Sequence, residues 1–167
     1  MKLSRKEIIE ITGLLAVVGS LLFVGVQLAL ERNIALGDQY HNRAESRMAN
    51  LRANLESDVY LEYRVRVWES GDRPSFWTSE FENLVGDSPP MDSVLNLEQD
   101  NISLAYVDNL YFQYRRGLLD ETYWSGARDY IKRLISGPIR RANFISSSFN
   151  PDFSDLLTEL VSEIETE

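Results

Sequence analysis

The residues most capable of chemistry in this sequence are one histidine and two carboxylates close to it. His41 follows Asp38 by three residues and precedes Glu45 by four, so in a helix all three share a face. A carboxylate three residues before a histidine is the spacing found in di-iron sites of helical bundles. Those sites need two such motifs and two further carboxylates, so with one histidine only an oligomer would complete the set. An ordinary exposed or inter-helix histidine is the simpler interpretation.

The sequence predicts no other catalytic constellation and no cofactor. The chain has no cysteine, which excludes thiolate nucleophiles and cysteine-bound metals. It has no G-x-S-x-G elbow to present a serine to His41 and no glycine-rich phosphate loop. The carboxylate pairs Glu80/Glu82 and Asp120/Glu121 lie at predicted helix starts, where capping and the helix dipole explain them.

Aromatic and arginine side chains supply two further candidates. Large aromatics at helical spacing are typical of a core, and a ligand pocket is the alternative. The set consists of Tyr106, Tyr111, Tyr114, Tyr123, Trp124 and Tyr130. Arg115 and Arg116 come near a predicted helix C-terminus, which favours cations; binding of a phosphate or lipid headgroup is the alternative.

The charge balance of the chain restricts its partners. Its 167 residues include 26 acidic and 17 basic side chains, a net charge of −9. Nucleic acid is therefore not an expected partner, because binding it requires a basic surface. Residues 31–167 alone carry 14 basic and 24 acidic side chains, a net charge of −10, which disfavours contact with anionic lipid.

Residues 11–30 form an uncharged, mostly aliphatic run that follows a short basic tail, residues 1–10. As a helix the run would be roughly 30 Å long, which matches the hydrocarbon core of a bilayer. No A-x-A-like cleavage site follows it, so we expect a retained transmembrane helix rather than a signal peptide. Thr12, Ala16 and Ser20 recur every fourth residue, and small residues at this spacing let two helices approach closely.

The orientation of this span depends on flanking basic residues. Three of them precede the run and three follow it within about 20 residues: Lys2, Arg5, Lys6, Arg32, Arg43 and Arg47. The N-terminal cluster is tighter and includes the free amine, so we expect the N-terminus in the cytoplasm and the rest of the chain outside.

Residues 31–57 continue as a predicted stalk helix with an apolar stripe. The stripe alternates in steps of three and four and contains Ile34, Gly37, His41, Ala44, Met48, Leu51 and Leu55. It packs either against later helices of the same chain or against another copy. Gly37, His41 and Ala44 are poor coiled-coil knobs and would suit a close or polar approach, so they are candidate interaction residues with Thr12, Ala16 and Ser20.

Residues 58–167 are predicted to form a domain of about five small helices, which makes the whole fold all-α. Asp58 is a predicted N-cap, Ser75 starts a short helix through Phe76 and Trp77, and a long helix covers residues 93–116, with Gly117 as its C-cap. Asp120 caps a helix that ends before Gly137 and Pro138. Helices over residues 139–149 and from Asn150 and Pro151 onward complete the domain.

Several stretches of the chain resemble a family of small bacterial single-pass membrane proteins. These stretches are residues 23–28 with Arg32 and Asn33, residues 109–120 (NLYFQYRRGLLD) followed by Trp124, and residues 149–153. The resemblance implies an N-terminal span that passes into a long helix, and a place in the bacterial inner membrane. It implies no activity, because the family has none assigned. Its members carry acidic N-terminal tails and basic residues after the span, which implies the opposite orientation; Lys2, Arg5 and Lys6 depart from that pattern.

The leading functional hypothesis is a membrane-anchored helical interaction module, either a scaffold or an accessory subunit of a membrane complex. Its expected partners are the lipid bilayer and either a second copy or another membrane protein. One alternative is a membrane-tethered sensor whose pocket is lined by Tyr111, Tyr114 and Trp124. A second alternative is a membrane-associated enzyme that uses His41 and its neighbouring carboxylates.

Overall fold

The computed structural model describes residues 4–147 and 150–166, which fold into seven α-helices. These are α1 (Arg5–Leu55), α2 (Asp58–Glu69), α3 (Ser79–Val85), α4 (Pro90–Arg115), α5 (Glu121–Leu134), α6 (Pro138–Ser147) and α7 (Pro151–Thr166). The predicted all-α fold, a long N-terminal apolar helix followed by smaller helices, is confirmed. The chain divides into two compact units, Met1–Gln39 and Tyr40–Glu167.

The first unit contains the apolar part of α1. The helix begins with a capping box in which the Ser4 backbone N–H donates to the Glu7 carboxylate at 2.7 Å and the Glu7 N–H donates to Ser4 Oγ at 3.3 Å. Its apolar side chains are exposed all round, with Leu22 at 68%. Within the described residues this is the one helix long and apolar enough to cross a membrane, and none of its apolar window is buried inside the protein.

The second unit is organised around α4, which packs against α2, α5 and α6. One cluster of buried side chains joins α4 to α5, α6 and α7, and includes Phe144 and Phe153 at 0% exposure. A second cluster joins α4 to α2. A third joins Ile102 and Ala105 of α4 to Met48 of α1. Residues 40–55 of the predicted stalk thus belong to the same compact unit as the helices that follow.

Two buried carboxylates, Glu98 and Asp100, and the partly buried Asp108 tie α4 to three of its neighbours. Each is paired, as a buried charge must be if it is not to destabilise the fold. The pairs are Glu98 with Tyr60 Oη (2.9 Å) and Arg64 Nε (3.2 Å) of α2, Asp100 with Arg140 Nε (2.5 Å) of α6, and Asp108 with Tyr40 Oη (2.6 Å) of α1. Burial raises the pKa of Asp100 and of Asp108. The polar pairs fix which face of α4 meets which helix.

Three of the predicted helix boundaries are confirmed, and their signals are local. The Asp120 carboxylate accepts from the Tyr123 backbone N–H at 2.8 Å and caps α5. Gly117 has φ +68° after α4, and the N–H of Leu118 donates to the carbonyl of Gln113 at 3.0 Å. This is a Schellman motif, which requires the left-handed conformation at its glycine. Pro151 opens α7, as the Asn150–Pro151 signal predicts.

Three predicted helix starts are wrong. Ser57, not Asp58, is the N-cap of α2, because its hydroxyl accepts from the Tyr60 N–H. The long helix starts at Pro90 rather than residue 93, since proline suits a first helical position. Pro138 opens α6 for the same reason; its predicted end at Phe149 lies outside the described residues.

The predicted helix from Ser75 is also wrong at its start. Phe76 and Trp77 lie in a turn in which the Trp77 N–H donates to the Pro74 carbonyl at 2.8 Å, and α3 begins only at Ser79. The Trp77 ring packs edge-on against Trp68 of α2, with ring centroids 4.5 Å apart. This tertiary contact holds the two aromatic residues out of the helix.

Candidate functional site

Three exposed tyrosines gather on one surface of the second unit, formed by α4 and α5. The row Trp124, Ala127 and Ile131 of α5 is buried. The adjacent row places Tyr123 (51% exposed) and Tyr130 (36%) at the surface, and Tyr106 of α4 (39%) joins them. We call Tyr106, Tyr123 and Tyr130 the tyrosine face.

The three phenols are close enough to interact. Partial burial, a hydrogen bond with Tyr123 and the neighbouring Tyr130 raise the pKa of Tyr106. Arg133 lies over the Tyr130 ring, with its guanidinium carbon 5.9 Å from the centroid. Clustered, partly exposed tyrosines offer a large contact area and hydroxyls for hydrogen bonding, which is why this residue type is enriched at protein interfaces.

A groove of about 580 Å³ adjoins Tyr106 and Tyr130 and lies between α1 and α4. We call it the α1–α4 groove. The two helices run antiparallel here, because His41 lies beside Asn109 whereas Met48 packs with Ile102. Its other lining residues are His41, Glu45, Met48, Ala49, Arg52, Ile102, Ser103 and Asn109.

His41 stands at one end of this groove and has two polar neighbours. Its Nδ1 lies 3.1 Å from Asn109 Nδ2, and its Nε2 lies 3.4 Å from Glu45 Oε1. Arg52 lines the groove eleven residues after His41 and seven after Glu45. The α1 side of the groove is therefore acidic towards His41 and basic towards Arg52.

A second, shallower depression of about 530 Å³ lies between α4 and α5 and is also bordered by Tyr106 and Tyr130. Tyr123, Gly126 and Ala127 of α5 contribute to it, with Leu110 of α4. We call it the α4–α5 depression. Because Gly126 has no side chain and Ala127 a single methyl, an approaching element can come close to the α5 backbone at this point.

No contact within the described residues requires a glycine at position 126. Gly126 lies in the interior of α5, its φ is not positive, and a Cβ added there would meet nothing within 4 Å. A glycine in a helix interior costs about 0.8–1 kcal/mol relative to alanine. This cost is expected where another molecule approaches the backbone closely.

The small-residue candidates of the predicted span lie in the first unit. Thr12 and Ser20 are exposed, and their hydroxyls donate to the carbonyls of Ile8 and Ala16, at 2.9 and 2.8 Å. Ala16 is exposed and Gly37 is buried. Their role in association between helices stays a prediction.

In the second unit the apolar stripe packs within the chain. Ala44 and Met48 are buried, and Leu51 and Leu55 pack against the cluster that contains Ile102. The C-terminal part of the stripe thus packs against later helices of the same chain, which is one of the two alternatives that the sequence leaves open. His41, by contrast, keeps part of its ring exposed in the α1–α4 groove.

The metal interpretation of Asp38, His41 and Glu45 finds no support. Across residues 4–147 and 150–166, no group of three or more His, Asp or Glu side chains is placed to hold a metal ion. His41 and Glu45 approach each other, and Asp38 is exposed.

The aromatic set divides between the core and the surface. Tyr111 and Trp124 are buried in the main cluster, and Tyr114 stacks on Trp124 with centroids 4.5 Å apart. The core interpretation therefore holds for these three and is wrong for the tyrosine face. The spacing of the aromatic residues in the sequence does not tell core residues from surface residues. Gly126, between Tyr123 and Tyr130, is a signal in the sequence that points to the exposed side of α5.

Arg115 and Arg116 are both engaged by neighbouring side chains. Arg115 donates to Tyr111 Oη at 2.8 Å and lies 3.5 Å from the Asp152 carboxylate. Arg116 lies over the Phe112 ring at 5.2 Å. These contacts explain both arginines structurally, without a bound phosphate.

Comparison with family models, curated proteins and solved structures finds no match to this chain. Membership of the bacterial family that the sequence resembles therefore stays a prediction.

Proposed function

We propose that the chain is a membrane-anchored helical interaction module, a scaffold or an accessory subunit of a membrane complex, and that it binds a partner protein through the tyrosine face. The observation that carries the proposal is the cluster of three exposed tyrosines around Gly126. Interface hot spots are rich in tyrosine, and the glycine leaves room for close approach at a cost to helix stability.

The anchoring part of the proposal rests on residues 11–30. Their side chains are uncharged, mostly apolar and exposed, and a bilayer is the solvent that suits such a surface. We assign the span to the bacterial inner membrane. The tight basic cluster of Lys2, Arg5 and Lys6 favours an N-terminus in the cytoplasm.

A single introduced cysteine tests the orientation, since the native chain has none. Asp87→Cys lies in the exposed segment between α3 and α4. A membrane-impermeant maleimide is expected to label it in intact spheroplasts. Labelling only after permeabilisation would reverse the proposed orientation and leave the anchor itself in place.

The interaction itself is tested by solubilising the full chain from its own membrane in a mild detergent. Light scattering that separates protein from detergent mass gives the size of the particle, and mass spectrometry gives its composition. We expect a stoichiometric complex larger than one chain. Lone monomers with no co-purifying protein would refute the proposed function.

A further inference from the structure

The α1–α4 groove has the length and shape needed to bind a helix. It follows α1 from His41 to Arg52, which is roughly 16 Å or three helical turns. Its two sides are antiparallel helices. Ala49 and Ser103 of the lining have small side chains, which leave room for a third helix to approach. Tyr106 and Tyr130 supply aromatic contact on the α4–α5 side. A helix that lies in a groove makes its contacts through side chains spaced three and four residues apart.

The charges along the groove give the occupant a direction. Glu45, Ala49 and Arg52 line the groove and are exposed on one face of α1. Asn42 is an exposed residue on the same face, three residues before Glu45 and next to His41 in the sequence. Glu45 places negative charge at one end, and Arg52 places positive charge about 10 Å away at the other. A helix carries partial positive charge at its N-terminus and negative charge at its C-terminus.

The overall charge disfavours a second copy of the chain as the occupant. Residues 31–167 carry a net charge of −10, so two such domains repel each other. The segment of α1 that could enter a neighbour's groove also packs on its own domain through Met48.

We infer that the occupant of the α1–α4 groove is an α-helix of a different protein, with its N-terminal end beside Glu45 and its C-terminal end beside Arg52. This inference rests on the proposed function, since it specifies what binds next to the tyrosine face.

Photocrosslinking in the native membrane tests the inference on the full chain. A photoreactive phenylalanine analogue replaces Asn42 in one variant and Ala49 in another; both residues are exposed on α1. A third variant carries it at Glu62, an exposed position on α2, as the control. Mass spectrometry of the crosslinked peptides then identifies the protein and the residue reached from each position.

We expect the Asn42 and Ala49 variants to reach one helical segment of one partner, and the Glu62 control not to reach it. The residue reached from position 42 should precede the one reached from position 49 by about seven residues, since the two probes are two turns apart. A reversed order, a non-helical segment, two different proteins or a second copy of this chain would overturn the inference.

The detergent experiment separates failure of the inference from failure of the proposed function. A complex in detergent without crosslinks from positions 42 and 49 overturns the inference alone. Lone monomers in detergent with no crosslink at either position overturn both.

Discussion

Replacing Gly126 with alanine is expected to stabilise the helical domain and to weaken its complex with a partner. Position 126 is an exposed site inside α5, has no positive φ, and has open space where the Cβ would lie. The substitution therefore adds no strain and removes the conformational cost of glycine. Helix propensity sets the expected gain in the free energy of unfolding at about 0.8–1 kcal/mol.

Urea unfolding of the full chain in detergent micelles, followed by tryptophan fluorescence, measures this gain. Trp124 is buried at 5% exposure on the same helix and so reports on loss of the core. With a urea slope of about 2 kcal/mol/M for a domain of this size, the midpoint should rise by roughly 0.4–0.5 M. The amount of partner retained in mild detergent is measured on the same preparations.

Two control substitutions separate the effect of alanine on the backbone from its effect on the approach of a partner. Gly117→Ala makes the same chemical change at φ +68° and should lower the free energy of unfolding by about 1 kcal/mol, because alanine is strained in that conformation. Ser125→Ala changes an exposed neighbour on α5 and should leave partner retention unaltered.

A lower midpoint for Gly126→Ala would refute the reasoning about helix propensity. A higher midpoint with unchanged partner retention would refute the reasoning that Gly126 allows close approach.

Three further predictions concern buried and partly buried groups on α4 and the helices packed against it. Burial raises the pKa of Asp108, so the stability linked to its protonated form is complete below its ordinary pKa and is lost as pH rises through the raised value. Asp108→Asn keeps an acceptor for Tyr40, and its free energy of unfolding relative to the native chain should increase from pH 4 to pH 7; a constant difference in urea melts would contradict this. Arg140→Gln leaves the buried Asp100 without its cation and should cost about 2–3 kcal/mol, part of which Asp100→Asn should restore; no recovery in the double variant would count against the pair. Phe153→Ala empties a site with 0% exposure and should cost about 3–5 kcal/mol by the same assay; a loss below 1 kcal/mol would mean that the core is not packed there as described.

The sequence predicts the features of this fold that depend on a few neighbouring residues. Asp120, Gly117 and the Asn150–Pro151 pair each mark a helix end through local backbone chemistry, and each is found where the sequence places it. The Ser75 start fails because Trp77 packs on Trp68 of another helix. A contact between two separate elements cannot be predicted from the helix propensities of neighbouring residues.

The candidate site depends on tertiary structure to a greater degree. Tyr123 and Trp124 are adjacent in sequence and equally aromatic, yet only Trp124 faces α4 from the buried row of α5. The sequence likewise leaves open what covers the stripe that contains Met48. Contacts with Ile102 and Ala105, more than 50 residues away, decide it. Which aromatic residues are exposed thus follows from how the helices pack.

The most direct test of the account compares the tyrosine face with a tyrosine elsewhere that is even more exposed. Full-length chains carrying Tyr106→Ser, Tyr123→Ser and Tyr130→Ser together, or Tyr63→Ser alone, are solubilised in mild detergent and their particle masses measured. Tyr63 lies on α2 and is 55% exposed, so its replacement should leave the complex intact. A hot spot contributes about 2 kcal/mol or more per residue, so the triple variant should migrate as a folded monomer without partner. A folded triple variant that retains as much partner as the native chain would contradict the proposal that the tyrosine face is the binding surface.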